Sequence, residues 1–245
     1  MKVFATYNIK GGVGKTSTAV NLAYLSAREG RRTLLWDLDP QGAATYLFRI
    51  RPRVKGGVHD LVTRKRPIEA AIKATDFDNL DLLPADFSYR NMDLELDDAK
   101  KRTRRLGQVL ASVADDYDVV FLDCPPSISL VSENVMHAAD TLLVPLIPAT
   151  LSLRTFDQLI RFVADSKGSK PEVFAFFSMA DRRKRLHKDV IEEIPRDRAR
   201  VVDTVIPALS IIEQMAERQA PVPAFAPNSR AAQCYEELWS EVRPT

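Results

Sequence analysis

Residues 8–17 read Asn8-Ile9-Lys10-Gly11-Gly12-Val13-Gly14-Lys15-Thr16-Ser17, and no other segment restricts the fold of this chain so tightly. An apolar run of strand character (Val3, Phe4, Ala5, Tyr7) precedes it, and a segment of helical character from Thr18 to Leu25 follows. Strand, glycine-rich loop, Lys-Thr and helix are the context that a phosphate-binding loop requires. Glycines allow backbone N–H groups to turn inward around phosphate oxygens, and the helix N-terminus adds partial positive charge. Lys15 is placed to reach β- and γ-phosphates, and the Thr16 hydroxyl to ligate Mg²⁺.

Around this loop the chain alternates. Apolar runs of strand type occur at 2–8, 33–37, 80–83, 118–122, 140–146 and 172–178, with a weaker one at 201–206. Segments of helical periodicity lie between most of them, at 17–29, 101–114, 130–138, 152–166, 186–194 and 228–242. Continuous apolar strands alternating with helices predict an α/β fold, a mostly parallel twisted sheet covered by helices on both faces. The 245 residues contain no repeat and no long linker, so one domain over 1–245 is expected. The stretch 48–100 carries Pro52, Gly56-Gly57, Pro67 and Pro84 and is the least regular, which predicts surface elements there.

Two strand ends carry acids. Asp37 and Asp39 sit two residues apart before Pro40-Gln41-Gly42, so on an extended chain both point to one face. At the carboxyl edge of a sheet that face looks toward the phosphate loop. The apolar run 118–122 ends at Asp123, followed by Cys124-Pro125-Pro126-Ser127, an arrangement in which a carboxylate holds Mg²⁺ through water. Cys124 and Cys234 lie far apart without metal-ligand spacing and read as reduced thiols, Cys124 as a buried inert one.

The phosphate loop departs from the usual pattern in having Ile9 where a glycine is common and an additional lysine, Lys10, at its start. In this it resembles the deviant Walker A loop of the ParA/MinD ATPases. The segments Asp37–Gly42 and Asp123–Ser127 resemble that family's first and second switches. The resemblance implies a single-domain P-loop NTPase that binds ATP with Mg²⁺ and hydrolyses it. It also implies an ATP-dependent homodimer in which Lys10 reaches the partner's nucleotide. Gly11, Gly12, Val13, Gly14, Lys15, Thr16 and Ser17 would cradle the phosphates. Asp39 would orient the attacking water, Lys10 and Lys15 would neutralise developing charge, and Asp37 and Asp39 would help to hold the Mg²⁺ shell with Thr16 and Asp123. A weaker likeness at Val205-Ile206-Pro207 places Pro207 by the adenine ring.

Net charge is only +2, yet about half of the 35 basic residues fall in four clusters, at 49–55, 64–66, 100–105 and 182–188. Such patches attract a phosphate backbone without regard to base sequence. ParA proteins bind DNA through basic residues near the C-terminal half, so the resemblance implies Arg182, Arg183, Lys184, Arg185 and Lys188 as the DNA contact. The stretch after Pro207, where many relatives are arginine-rich, is uncharged here (Ala208-Leu209-Ser210-Ile211-Ile212). The C-terminus is net acidic near its tip, unlike a membrane-inserting basic helix, which argues against a membrane partner. Leu238 and Trp239 read instead as docking on the core. No apolar leader precedes the first strand, and the expected location is cytoplasmic, on the nucleoid when ATP is bound. The expected function is an ATP-driven switch that positions a plasmid, a chromosome origin or a large assembly through a ParB-like or other activating adaptor. The alternatives are a MinD-like ATPase at a membrane surface, and a nucleotide-dependent binding module with little turnover.

Overall fold

In the first strand, Val3 and Ala5 enter one apolar cluster and Phe4 the other, and the same alternation divides Leu34 and Trp36 from Leu35, and Val120 and Leu122 from Phe121. A sheet with apolar side chains on both faces must be covered on both, and that dictates the layers of this molecule. The computed structural model describes residues 1–166, 170–181, 183–193 and 200–244.

The strands are β1 (Lys2–Thr6), β2 (Thr33–Asp37), β3 (Lys73–Ala74), β4 (Leu80–Leu83), β5 (Val119–Asp123), β6 (Thr141–Leu146), β7 (Glu172–Ala180) and β8 (Arg200–Pro207). The helices of the first half are α1 (Lys15–Arg28), α2 (Ala43–Leu47), α3 (Gly57–Thr63), α4 (Met92–Asp97) and α5 (Arg105–Leu110). Those of the second half are α6 (Leu130–Ala138), α7 (Thr150–Asp165), α8 (Arg185–Glu193), α9 (Ser210–Glu213), α10 (Met215–Arg218), α11 (Val222–Phe225) and α12 (Arg230–Val242). The strands form one sheet in the order β3-β4-β2-β5-β1-β6-β7-β8. Every pairing is parallel except that of the short β3 with β4.

Helices α1 and α12 cover the Phe4 face. Trp239 of α12 lies edge-on to Phe4, with ring centroids 5.8 Å apart, and Leu238 is fully buried. The expectation that these residues dock on the core is met. Helices α5, α6 and α7 contribute Val109, Val135 and Leu159 to the opposite core. Among the described residues no helix is long and apolar enough to cross a membrane.

The expected strands are all present, with ends moved by a few residues. The predicted helix at 101–114 is shorter. Lys101 takes a left-handed backbone (φ 59°), and α5 begins only at Arg105. Its first N–H groups, of Arg105 and Leu106, donate to Oδ1 of Asn134 at 2.7 and 3.1 Å, a cap supplied from α6.

The chain leaves β1 toward β2 on one side and reaches β6 on the other, so the order reverses beside β1. Ligands of open parallel sheets sit outside the carboxyl ends of the strands at such a point. The loop 8–14 lies there.

Candidate nucleotide site

The loop is built on backbone that only glycine adopts readily. Gly12 (φ 68°) and Gly14 (φ 92°) both lie in the left-handed region. Gly14 is constrained a second time, since a Cβ there would stand 2.8 Å from the Ser178 hydroxyl on β7. Asn8 anchors the start of the loop. Its buried amide donates to the Pro145 carbonyl at 2.8 Å, while its Oδ1 accepts from the Lys10 N–H at 2.9 Å. Helix α1 starts at Lys15 with no side-chain cap and no acid in its first turn, so its N–H groups and positive end remain available to an anion.

The Lys15 ammonium folds back and donates to the Lys10 carbonyl at 3.1 Å. Burial lowers its pKa, against the pull of Asp123, Cys124 and Asp39. The Lys10 side chain is exposed, Val13 is buried, and Thr16 and Ser17 are half-buried.

Three carboxylates, Asp37, Asp39 and Asp123, act on one another electrostatically at the carboxyl ends of β2 and β5. Strand register sets Asp123 of β5 level with Thr6 of β1 on one side and with Asp37 of β2 on the other. Asp123 is fully buried, and its Oδ1 accepts from the Thr6 hydroxyl at 3.4 Å, but its Oδ2 has no hydrogen-bond partner. Burial holds the Asp123 carboxyl well above the usual carboxylate range, and the neighbouring Asp37 adds to the rise. Thr16 and Lys15 oppose it. A buried carboxylate oxygen with no donor is costly, and a cation or a solvated ion would satisfy it.

Asp37 is differently committed. Its Oδ2 accepts from both the N–H and the hydroxyl of Thr45 on α2, at 2.8 and 2.7 Å, and its Oδ1 from the Asp39 N–H at 3.2 Å. Burial pushes its carboxyl up to about 6 in spite of those bonds. The Thr45 hydroxyl in turn accepts from the Ala85 N–H at 2.8 Å. Asp37 thus fastens the turn that carries Asp39, a connection with no signature in the sequence because Thr45 is just another residue of a short helix. Asp39 is half-buried, and its Oδ1 accepts from the Gln41 N–H at 2.9 Å. Among the described residues no three His, Cys, Asp or Glu side chains are grouped so as to hold a metal alone. Mg²⁺ takes one or two carboxylates and completes its shell with water and phosphate, and the unpartnered Oδ2 of Asp123 is a donor of that kind.

Beside the loop opens a cavity of about 250 Å³ lined by Gly12, Gly14, Ser17, Met179, Pro207 and Tyr235. Pro207 therefore shares a cavity with the phosphate loop. A bulge in β7 after Phe177 presents Ser178 to Gly14, and Met179 (φ 55°) to the cavity. The segment Asp123–Ser127 is fastened at its far end. The Tyr7 hydroxyl donates to the Ser127 carbonyl at 2.6 Å, and Ser129 and Ser132 form a capping box on α6. The Cys124 thiol is buried and raised well above its ordinary value, in keeping with an inert thiol.

The basic cluster after β7 lies apart from these groups. Arg182 lies outside the described residues. Arg183 turns back on Asp181, donating through Nε and Nη2 at 3.0 Å each, and Arg185 stands 3.8 Å from Asp189. Lys184 and Lys188 are exposed.

A glycine loop, an uncapped helix and a buried acid at the reversal point of a parallel sheet define a nucleotide-binding P-loop protein. A model of the AAA domain family matches residues 1–174. The sporulation initiation inhibitor protein Soj of Bacillus subtilis is 35% identical, over 98% of both chains. The chromosome partitioning protein ParA of Caulobacter vibrioides is 33% identical, over 99% of this chain and 94% of the relative. A crystal structure of cobyrinic acid a,c-diamide synthase from Mycobacterium smegmatis, with bound ATP analog and magnesium, superposes with a TM-score of 0.82. It is 29% identical and matches 98% of this chain and 93% of that one. The chain belongs to the ParA family of deviant Walker A ATPases.

Proposed function

We propose that this protein is an ATP-hydrolysing dimerisation switch that binds duplex DNA non-specifically in its ATP state and positions a cargo through an adaptor protein. One ParA-like ATPase domain spans 1–245, and its ATP-bound form resides on the nucleoid. The observation that carries the nucleotide site is the unpartnered, buried Oδ2 of Asp123 beneath Lys15 and an uncapped helix N-terminus.

In this reading the backbone N–H groups of Gly11 to Ser17 receive the phosphates. Lys15 exchanges the Lys10 carbonyl for the β- and γ-phosphate oxygens. Lys10, exposed at the start of the loop, extends to the nucleotide of a second copy. Thr16 and Asp123 hold Mg²⁺, with Asp37 and Asp39 in its surroundings. Bound there, the ion neutralises charge on the phosphoryl oxygens. Asp39 orients the attacking water, and Asp37 works through Thr45 to keep that turn in place. The base rests in the cavity beside Pro207. The relatives named for chromosome partitioning support a positioning role, and the neighbour crystallised with an ATP analog and magnesium supports the choice of ligands. A ParB-like partner would stimulate turnover and supply the cargo.

Calorimetric titration with Mg²⁺ and ATP tests the site. Lys15→Ala should weaken binding at least about tenfold, some 1.4 kcal/mol. Asp39→Ala should retain binding and lose turnover. Undiminished affinity in Lys15→Ala would remove the loop from its role.

A further inference from the structure

Four cations of the stretch between the first switch and β4 gather at one edge of the sheet. Arg51, Arg53, Lys55 and Lys73 are exposed, and none of the ion pairs between described residues involves them. All four line one open groove of about 620 Å³ at the β3 edge of the sheet, floored by Ile50, Ala70 and Ala71. Lys55, Ala70 and Ala71 also line the next depression, which reaches Arg66. Arg66 in turn lines a third with Arg64 and Lys65. Three depressions that share walls make one basic track. The acids beside it are few: Asp60, which pairs with Arg66, Glu69, and Asp86, which lies in the field of Arg53.

By contrast, the cluster after β7 is partly self-neutralised, with Arg183 on Asp181 and Arg185 near Asp189. A chelated guanidinium must give up its carboxylate before it meets a phosphate, whereas a free one exchanges only water.

The track is also tied to the nucleotide site. Pro52, between Arg51 and Arg53, packs on the first switch, where a Cβ at Gly42 would lie 3.7 Å from its Cβ. The Val54 N–H donates to Asp86 at 2.8 Å, which holds the same stretch against the loop after β4. A change in the Asp37–Gly42 turn therefore reaches the groove wall through direct packing.

We propose that this track, centred on Arg51, Arg53, Lys55 and Lys73, is the main surface on which the sugar-phosphate backbone of duplex DNA lies. The proposal rests on the DNA-binding reading above and adds its location. A row of cations free of ion pairs over an apolar floor, without a closed pocket, suits a continuous polyanion rather than a single phosphate.

The test is binding of the full chain to a random-sequence duplex, with Mg²⁺ and a slowly hydrolysed ATP analogue, across a salt series. The variant carries Arg51→Gln, Arg53→Gln, Lys55→Gln and Lys73→Gln. Its affinity should fall at least tenfold, and its log–log salt slope should become shallower by about 0.9 for each phosphate no longer neutralised. Replacing Arg51 and Arg53 by Lys should keep the wild-type slope, which separates lost charge from lost fold. Changing Arg183, Arg185 and Lys188 to Gln should have the smaller effect.

If the wild type binds DNA and the fourfold variant matches it in affinity and slope, the location is wrong and the DNA reading stands. If the wild type binds DNA in no nucleotide state, both are overturned. Loss of binding to anionic vesicles in the variant, without any DNA binding by the wild type, would assign the track to a lipid surface instead.

Discussion

Within the phosphate loop, Gly14 is the residue whose replacement is most sharply constrained. Its φ of 92° strains any side chain, and a Cβ there would meet Ser178 Oγ at 2.8 Å. Gly14→Ala should therefore destabilise the fold by about 1–3 kcal/mol. Chemical denaturation reads that loss, and ATP affinity should fall with it because the loop must shift. Pairing it with Ser178→Gly should recover part of the stability, since the clash is removed while the backbone strain stays.

Asp37 carries a different signature. Its carboxyl is raised from 3.8 to about 6, so the folded protein holds this proton more tightly than the unfolded chain does. Stability from this group is fully present below the unfolded value and is lost as pH rises through about 6, a total of about 3 kcal/mol. In Asp37→Asn that portion of the slope should vanish. Urea denaturation of the two proteins between about pH 4 and 7 measures the difference, and parallel curves would show that Asp37 titrates normally. The phosphate loop and the acids at 37, 39 and 123 were legible because each ends an apolar run. Asn8, Thr45 and Ser178 were not, because they act through partners 8 to 164 positions away.

At the scale of elements, the Thr45 hydroxyl braces α2 from two sides. Thr45 donates to Asp37, accepts from the Ala85 N–H, and so joins β2, α2 and the loop after β4. Thr45→Val keeps the shape and leaves the buried Ala85 N–H without its acceptor. A cost of about 1–3 kcal/mol is expected, read as a fall in the thermal midpoint of several degrees. Turnover should fall further than ATP affinity, because the turn that carries Asp39 loses its brace. The periodicity that marks the central strands carries no information about such braces. The same limit explains α5, whose start depends on Asn134 in another helix, and the short β3, whose two residues pair only because β4 offers an edge. The region 48–100 looked irregular in sequence and is so in three dimensions, broken into short helices and the basic track.

Among the described residues the strands form one eight-stranded sheet with the candidate site residues at its carboxyl edge, and the alternation of apolar runs with helices made that architecture readable. Quaternary behaviour is different in kind, since it depends on a surface formed only between two copies. Lys10 embodies the distinction. Its backbone N–H and carbonyl serve the loop of its own chain, bonded to Asn8 and Lys15, while its exposed side chain has no such duty. Sedimentation velocity with Mg²⁺ and either ATP or ADP, on the wild type and on Lys10→Ala, tests the switch most directly. A dimer formed by the wild type with ATP, absent with ADP and absent in Lys10→Ala, is the expected result. A monomer in every nucleotide state, or a dimer indifferent to nucleotide and to Lys10, would contradict it.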